Sequence, residues 1–272
     1  MKLQKKKAFS IFSIFLLTAM SFAGSAWADG DKTGTNPINF TNDARIYHEF
    51  SSLETSGDGE QNVTTLEFRT PFNIGDSQWQ FRTRLRVNSL EIDTDNDGVN
   101  EVDDTGIGVV DMRLLTVPYL NMKKKLGIAT GLELSLPTGN AVTGSQTTSL
   151  GPQVFAVFFA PFGIPGSIVA PAVQYKFSVD EEQGAAEVEQ LIFDVFFLKT
   201  SANKQFWALI NPTYVFDQEN DKDFGFLDVE LGVMVDKYLG TKGNSLYVRP
   251  SIGWGTDQVT EYGFEIGYKV IW

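Results

Sequence analysis

Counted back from Trp272, every second residue of the C-terminal segment is large and apolar: Val270, Tyr268, Ile266, Phe264 and Tyr262. Between them lie Lys269, Gly267, Glu265 and Gly263, with Ile271 the one apolar exception. A period of two marks a β-strand with one oily and one polar face. The same alternation recurs upstream. Trp79, Phe81, Leu85 and Val87 interleave with Gln80, Arg82, Arg84, Arg86 and Asn88. Leu126, Ile128, Leu132, Leu134 and Leu136 interleave with Gly127, Ala129, Gly131, Glu133 and Ser135. Leu227, Val229, Leu231, Val233 and Val235 interleave with Asp228, Glu230, Gly232 and Asp236.

Twelve such segments can be drawn, over 44–54, 61–72, 77–91, 105–119, 126–137, 152–161, 168–179, 188–199, 205–216, 224–237, 245–255 and 261–272. Turn residues punctuate them, no amphipathic helix interrupts them, and no apolar run is long enough to span a bilayer as a helix. This pattern predicts an all-β fold, an antiparallel up-and-down transmembrane β-barrel of about twelve strands over 44–272. An even count places both ends of the barrel on one side. The connections 73–76, 121–125, 163–166, 200–204 and 239–244 are then short periplasmic turns. Those at 55–60, 92–104, 138–151, 180–187, 217–223 and 256–260 are longer external loops. In segment 152–161, Phe155, Phe158 and Phe159 make both faces apolar, so the period leaves its register open.

A terminal alternating strand that ends on an aromatic resembles the assembly signal of outer-membrane barrels, here Phe264, Ile266, Tyr268, Val270 and Trp272. The barrel assembly machinery is its expected partner. The N-terminus supports the same destination. Lys2, Lys5, Lys6 and Lys7 precede an apolar run to Ala23, and Ala26-Trp27-Ala28 offers a cleavage site. Residues 1–28 therefore read as a secretory signal peptide. Residues 29–43 read as a short periplasmic extension, and the localisation as the outer membrane of a Gram-negative bacterium, among its lipid and lipopolysaccharide.

Charge adds two constraints. Without the leader's four lysines, 18 basic residues face 34 acidic ones, which argues against nucleic acid as a partner. The chain has no cysteine, so an exported fold cannot rest on disulfides. A charge on the lipid face near the bilayer midplane costs about 2–4 kcal/mol for Arg or Lys, so the polar positions must line the lumen. They are Glu67, Arg69, Arg82, Arg84, Arg86, Asp111, Arg113, Glu133, Lys176, Asp194, Asp228, Glu230, Arg249, Glu265 and Lys269, seven acidic and eight basic. Either they fill a narrow interior with ion pairs or they line a polar pathway. In the second case the ladder Arg82-Arg84-Arg86 attracts anions such as carboxylates. Twelve strands lie between side-chain-filled barrels of eight and open porins of sixteen, which suits a narrow, selective conduit.

The stretch 93–104, DTDNDGVNEVDD, fits the spacing of a calcium loop. Asp93, Asp95, Asp97, Val99, Glu101 and Asp104 are its candidate ligands, and Gly98 permits the sharp turn. Flanking strands exclude an EF-hand, and Asp in the last position reaches less far than Glu, so a weak surface Ca2+ site is expected. No other cofactor is indicated. An enzyme is not expected either, because His48 is the sole histidine and is placed in the lumen or at the membrane interface. Tyr119, Trp207, Tyr214, Tyr238, Tyr247, Trp254 and Trp272 lie near strand ends, as the aromatic girdles of a barrel do.

Two stretches carry a more specific likeness: Thr105-Gly106-Ile107-Gly108-Val109-Val110-Asp111 and Leu136-Pro137-Thr138-Gly139, the latter followed by Leu150-Gly151. They resemble outer-membrane transporters described as the "MetA-pathway of phenol degradation" family, from about residue 60 to the C-terminus. Val109-Val110 departs from the tighter family spacing before Asp111. The resemblance implies a barrel that passes small aromatic or hydrophobic compounds. The sequence thus leads to passive, selective passage of a small solute, aromatic, hydrophobic or a carboxylate. Its rival is a closed structural or adhesive barrel that works through acidic, cation-binding loops.

Overall fold

The structure is a computed structural model that describes residues 35–54, 58–94, 99–181, 185–239 and 243–272. The expected signal peptide lies outside the described residues, as do Asp95, Asp97 and Gly98 of the acidic loop.

Thirteen strands form one sheet: β1 (Asp43–Leu53), β2 (Asp58–Ile74), β3 (Ser77–Asp93), β4 (Val102–Ile107), β5 (Val110–Asn121), β6 (Leu126–Leu136), β7 (Thr147–Phe159), β8 (Ser167–Glu181), β9 (Glu189–Thr200), β10 (Phe206–Asp217), β11 (Lys222–Met234), β12 (Asn244–Trp254) and β13 (Thr260–Ile271). Each pairs antiparallel with its neighbours, and β1 pairs with β13, so the sheet closes on itself. Closure removes the unpaired edges that an open sheet would expose. β4 and β5 both pair with β3, one after the other, and together make one stave of a twelve-stave barrel.

That stave was read as one segment, 105–119. It breaks because one extra residue enters the register: Val87 faces Ile107 in β4, whereas Arg84 faces Asp111 in β5. The Thr138 side chain occupies the break. Its hydroxyl donates to Gly108 O at 2.8 Å and accepts from Val110 N at 2.9 Å. The two stretches that carried the family likeness therefore meet here, and Val109 is the bulge residue.

The expected contrast between short turns and long loops is not kept. The hairpin of β2 and β3 stays in register from Ile74–Ser77 to Asp58–Asp93, which absorbs residues read as loop. At the opposite end, the chain after β11 forms a helical turn at Asp236–Leu239. The barrel end near Asp43 and Ile271 is called the turn end below, and the other the loop end.

Outward positions carry a continuous apolar belt that includes Ile46, Leu66, Ile128, Val154, Val173 and Ile266. Such a surface is too large for a water-exposed monomer and suits a hydrocarbon surrounding. On β2–β4 the belt ends at the row Thr64–Val87–Ile107, level with His48 of β1. Beyond it, Glu60, Asn62, Ser89, Glu91, Asp103 and Thr105 of β2–β4 face outward. His48 is on this outer face, where its Nδ1 shares a 2.9 Å hydrogen bond with the Thr64 hydroxyl. It lies at the edge of the belt and not in the lumen. Phe158 faces out, while Phe155 faces in, which settles the register of β7. Phe264, Ile266, Tyr268 and Val270 lie on the outer side of β13, and Trp272 is exposed at its end.

Candidate functional site

All fifteen residues expected in the lumen occupy inward positions, because β-pairing preserves the alternation that the sequence shows. What pairing adds is their order across strands. One inward row reads Lys269–Arg45–Glu67–Arg84–Asp111–Ser135, and from Arg45 to Asp111 its charges alternate in sign. The next row, toward the turn end, reads Asp43–Arg69–Arg82–Arg113–Glu133. Here three arginines stand directly opposite one another on adjacent strands.

The alternating row is knitted by ion pairs. Arg45 Nε lies 3.4 Å from Glu67 and 3.0 Å from Asp43, and Arg84 Nη2 lies 3.0 Å from Asp111. Arg86, one row further on, approaches Asp111 at 2.5 Å and donates to Val109 O at 3.0 Å. The Ser135 hydroxyl donates to Asp111 at 2.8 Å. The ladder Arg82-Arg84-Arg86, expected to attract anions, is therefore largely neutralised across the strands. Arg82 pairs with Glu133, and Arg84 reaches the same carboxylate at 3.3 Å.

Arg113 differs. Among the described residues it has no ion-pair partner, and its buried Nε donates to no protein acceptor. The buried Nε atoms of Arg82, Arg84 and Arg249 lack acceptors as well, although their terminal nitrogens are paired.

A third cluster lies across the lumen at β11–β13. Arg249 pairs with Glu230 and lies 3.2 Å from Glu265, and Trp207 Nε1 donates to Glu230 at 2.6 Å. Lys269 Nζ sits 5.0 Å from the Trp207 ring centre, a cation–π distance. Trp207 and Tyr247, expected in the aromatic girdle, are buried and inward-facing. The rings lie flat over glycines: a Cβ on Gly232 would come within 1.9 Å of Trp207, and one on Gly267 within 2.2 Å of Tyr247. Tyr119, Tyr238, Trp254 and Trp272 are exposed, as girdle residues are.

The remaining wall, β7–β10, is apolar. Phe155, Val157, Ala170, Phe196, Leu198 and Leu209 point inward there, interrupted by Gln153, Asn211 and Asp194, whose carboxylate accepts from Thr213 at 2.5 Å. A cavity of about 250 Å³ separates this wall from the arginine rows. Five arginines line it (Arg45, Arg69, Arg82, Arg113 and Arg249) against two carboxylates, Asp194 and Glu230.

Both ends of the lumen are narrowed. At the turn end, residues 35–42, read as a periplasmic extension, fold inward. Phe40 and Ile38 are buried with Leu115, Ala129, Val157, Leu198 and Met234, and Thr35 and Pro37 line the cavity. At the loop end, the connection 137–146 folds back over β3 and β4. Asn88, an inward residue, donates to Thr143 O at 2.6 Å, and Thr143 packs against the inward side of Gly106.

The acidic loop is only partly described. Asp104 lies within β4 opposite Leu90 and accepts from Asn140 at 2.7 Å. Glu101 accepts from the Thr94 amide at 2.6 Å and the Thr94 hydroxyl at 2.9 Å, and these bonds hold its carboxyl below the ordinary range. Val99 and Glu101 are exposed, whereas Asp93 is buried at the end of β3. No group of three or more potential ligands of His, Cys, Asp or Glu type converges among the described residues.

No protein-family model and no curated protein matches the chain. Among solved structures, the COG4313 outer membrane channel from Pseudomonas putida F1 superimposes with a TM-score of 0.71 at 12% identity, over 90% of this chain and 100% of the other. The NanC porin gives 0.53 at 13% identity, over 83% and 98%. The transport unit of the autotransporter AIDA-I from Escherichia coli gives 0.51 at 10%, over 87% and 92%. At these identities the likeness is one of fold: the chain is a closed twelve-stave barrel of the outer-membrane kind.

Proposed function

We propose that this barrel is an outer-membrane channel that lets a small organic solute pass passively and selectively. The observation that carries this reading is the cavity in the turn-end half of the lumen, walled by arginines on one side and by Phe155, Phe196 and Leu209 on the other. A barrel whose only task is to be stable fills its interior with side chains, as eight-stranded barrels do. In this reading residues 1–28 deliver the chain to the periplasm, the turn end faces the periplasm, and the acidic loops face outward among lipopolysaccharide. The fold of outer-membrane channels supports a conducting role. The apolar wall accords with the aromatic or hydrophobic solutes implied by the phenol-degradation resemblance.

The inward segments 35–42 and 137–146 favour a second reading, a barrel closed at both ends that acts through its surface loops. Planar-bilayer recording and liposome swelling separate the two. The channel reading expects discrete small conductance steps and faster swelling in small organic solutes than in disaccharides. Absence of both current and flux from correctly folded protein would leave the closed barrel.

A further inference from the structure

The row Asp43–Arg69–Arg82–Arg113–Glu133 contains a conflict that the fold does not resolve by itself. Like charges directly opposite on neighbouring strands destabilise a sheet. Two carboxylates serve three guanidinium groups, and Asp43 and Glu133 are shared with other arginines: Asp43 with Arg45 at 3.0 Å, Glu133 with Arg84 at 3.3 Å. The adjacent row shows that the same strands can place Glu67 between Arg45 and Arg84, and Asp111 beside Arg84. Local rules are broken most often where a site has a task.

We infer that the lumen holds a binding site for a small organic carboxylate, with Arg113 as the residue that takes the carboxylate and the β7–β10 wall as the seat of its apolar body. The geometry carries this in three steps. Arg113 faces the cavity without an ion pair among the described residues, since its register neighbour Glu133 is taken by Arg82 and Arg84, and its Nε has no protein acceptor. A guanidinium presents paired donors in a plane that matches a carboxylate in bidentate fashion. Across a cavity of about 250 Å³, Phe155, Phe196 and Leu209 offer an apolar surface that a hydrated inorganic anion would not use. The class that satisfies both walls carries one negative group on an aromatic or short alkyl body. Arg69 and Arg82 raise the local positive potential without being free to bind, since Glu67 lies 2.6 Å from Arg69 and Glu133 holds Arg82.

The inference names the solute class of the proposed channel and rests on that reading for its role, but the site is tested apart from flux. Benzoate, benzyl alcohol and acetate are titrated calorimetrically into the purified full-length chain in detergent micelles. Wild type is compared with Arg113→Gln, Arg113→Lys and the inward control Lys176→Gln, each checked for folding by its heat-modifiable gel shift. Benzoate is expected to bind at least tenfold more tightly than either partial mimic. Arg113→Gln should lose that preference, Arg113→Lys should restore part of it, and Lys176→Gln should leave it unchanged. Equal affinity for benzoate and benzyl alcohol, or a benzoate affinity that Arg113→Gln leaves intact, overturns the site. Liposomes containing the same preparations keep the two readings distinct. Arg113-dependent binding without solute flux retains the site and removes the channel, and flux without benzoate preference does the reverse.

Discussion

Two neighbouring rows of the lumen use the same strands and nearly the same residues to opposite effect. In Arg45–Glu67–Arg84–Asp111, each charge faces its opposite, and the row is a structural clamp joining β1 to β5. In Arg69–Arg82–Arg113, like faces like, and the surplus charge points into the cavity. The difference is a matter of position, not composition: Glu67 between two arginines and Asp111 beside the second lock that row, whereas acids at the two ends of the other leave Arg113 without an ion pair among the described residues. Stability and recognition have been separated by one step along the strands.

The largest effect should come from breaking the clamp. Glu67 is 3% exposed and touches both Arg45 and Arg69. Removing one partner of a buried ion pair leaves an uncompensated charge, at a cost of about 3–5 kcal/mol. Glu67→Gln should therefore lower unfolding stability in urea by that order. Arg113→Gln, which removes a like-charge opposition, should leave stability within about 0.5 kcal/mol of wild type or raise it. Similar losses in both variants would erase the distinction between the rows.

The inward N-terminal segment sharpens the contrast next. Thr41 donates to Asp43 at 2.9 Å, and Phe40, 1% exposed, anchors the stretch among inward apolar side chains. Asp43 is the acid that ends the like-charge row. Phe40→Ala should cost about 3 kcal/mol through the cavity it opens. Single-channel conductance should also rise as the turn end widens. Lower stability with unchanged conductance would show that the segment does not limit passage.

A smaller effect is expected on the far side of the lumen. A Cβ on Gly232 would lie 1.9 Å from the Trp207 ring, so Gly232→Ala must tip that ring away from Glu230 and Lys269. Overpacking of this kind costs about 1–3 kcal/mol. A red shift of tryptophan emission should accompany it, while Arg113-dependent binding persists. Loss of benzoate binding in Gly232→Ala would mean that the β11–β13 cluster belongs to the site.

Much of this was written in the alternation along the chain. Period two sorted Arg82, Arg113, Glu133, Asp228 and Lys269 inward because a strand has just two faces. Sequence could not show which inward residue meets which, since register depends on strand tilt and on bulges such as the one at Val109. The ladder Arg82-Arg84-Arg86 therefore looked like an anion path along β3, when the acids that neutralise it come from β5 and β6. Asp43 and Arg45 carry little signal of their own, because Asp43 precedes the alternating segment and the first strand's inward face mixes Arg45 and Glu49 with the aromatic Tyr47. Nearness to strand ends alone makes Trp207 and Tyr247 look like girdle residues. Yet Trp207 shares parity with Asn211 and Thr213, and glycines at 232 and 267 stand where flat aromatic rings need room. The fold of 35–42 had one signal, the apolar pair Ile38 and Phe40 in a polar stretch.

The smallest effect lies outside the barrel and serves as the control for both rows. Thr94 donates to Glu101 through its amide and its hydroxyl, and these bonds favour the charged carboxylate. A carboxyl held below its ordinary range contributes order that is present above its unfolded value and is lost as pH falls through the lower, folded one. The Thr94 amide resonance in wild type should thus stay fixed through mildly acidic pH and move only below the usual glutamate range. In Thr94→Val one of the two bonds is gone, so the transition should shift upward toward an ordinary glutamate. The acidic stretch has the spacing of a weak calcium loop, and the same resonance tests it. A bidentate metal ligand must turn its carboxylate from Thr94 toward the ion, so millimolar calcium would displace the resonance if Glu101 took part. Because Asp104 is committed to Asn140 within β4, no displacement is expected, and neither lumenal row should respond to either change.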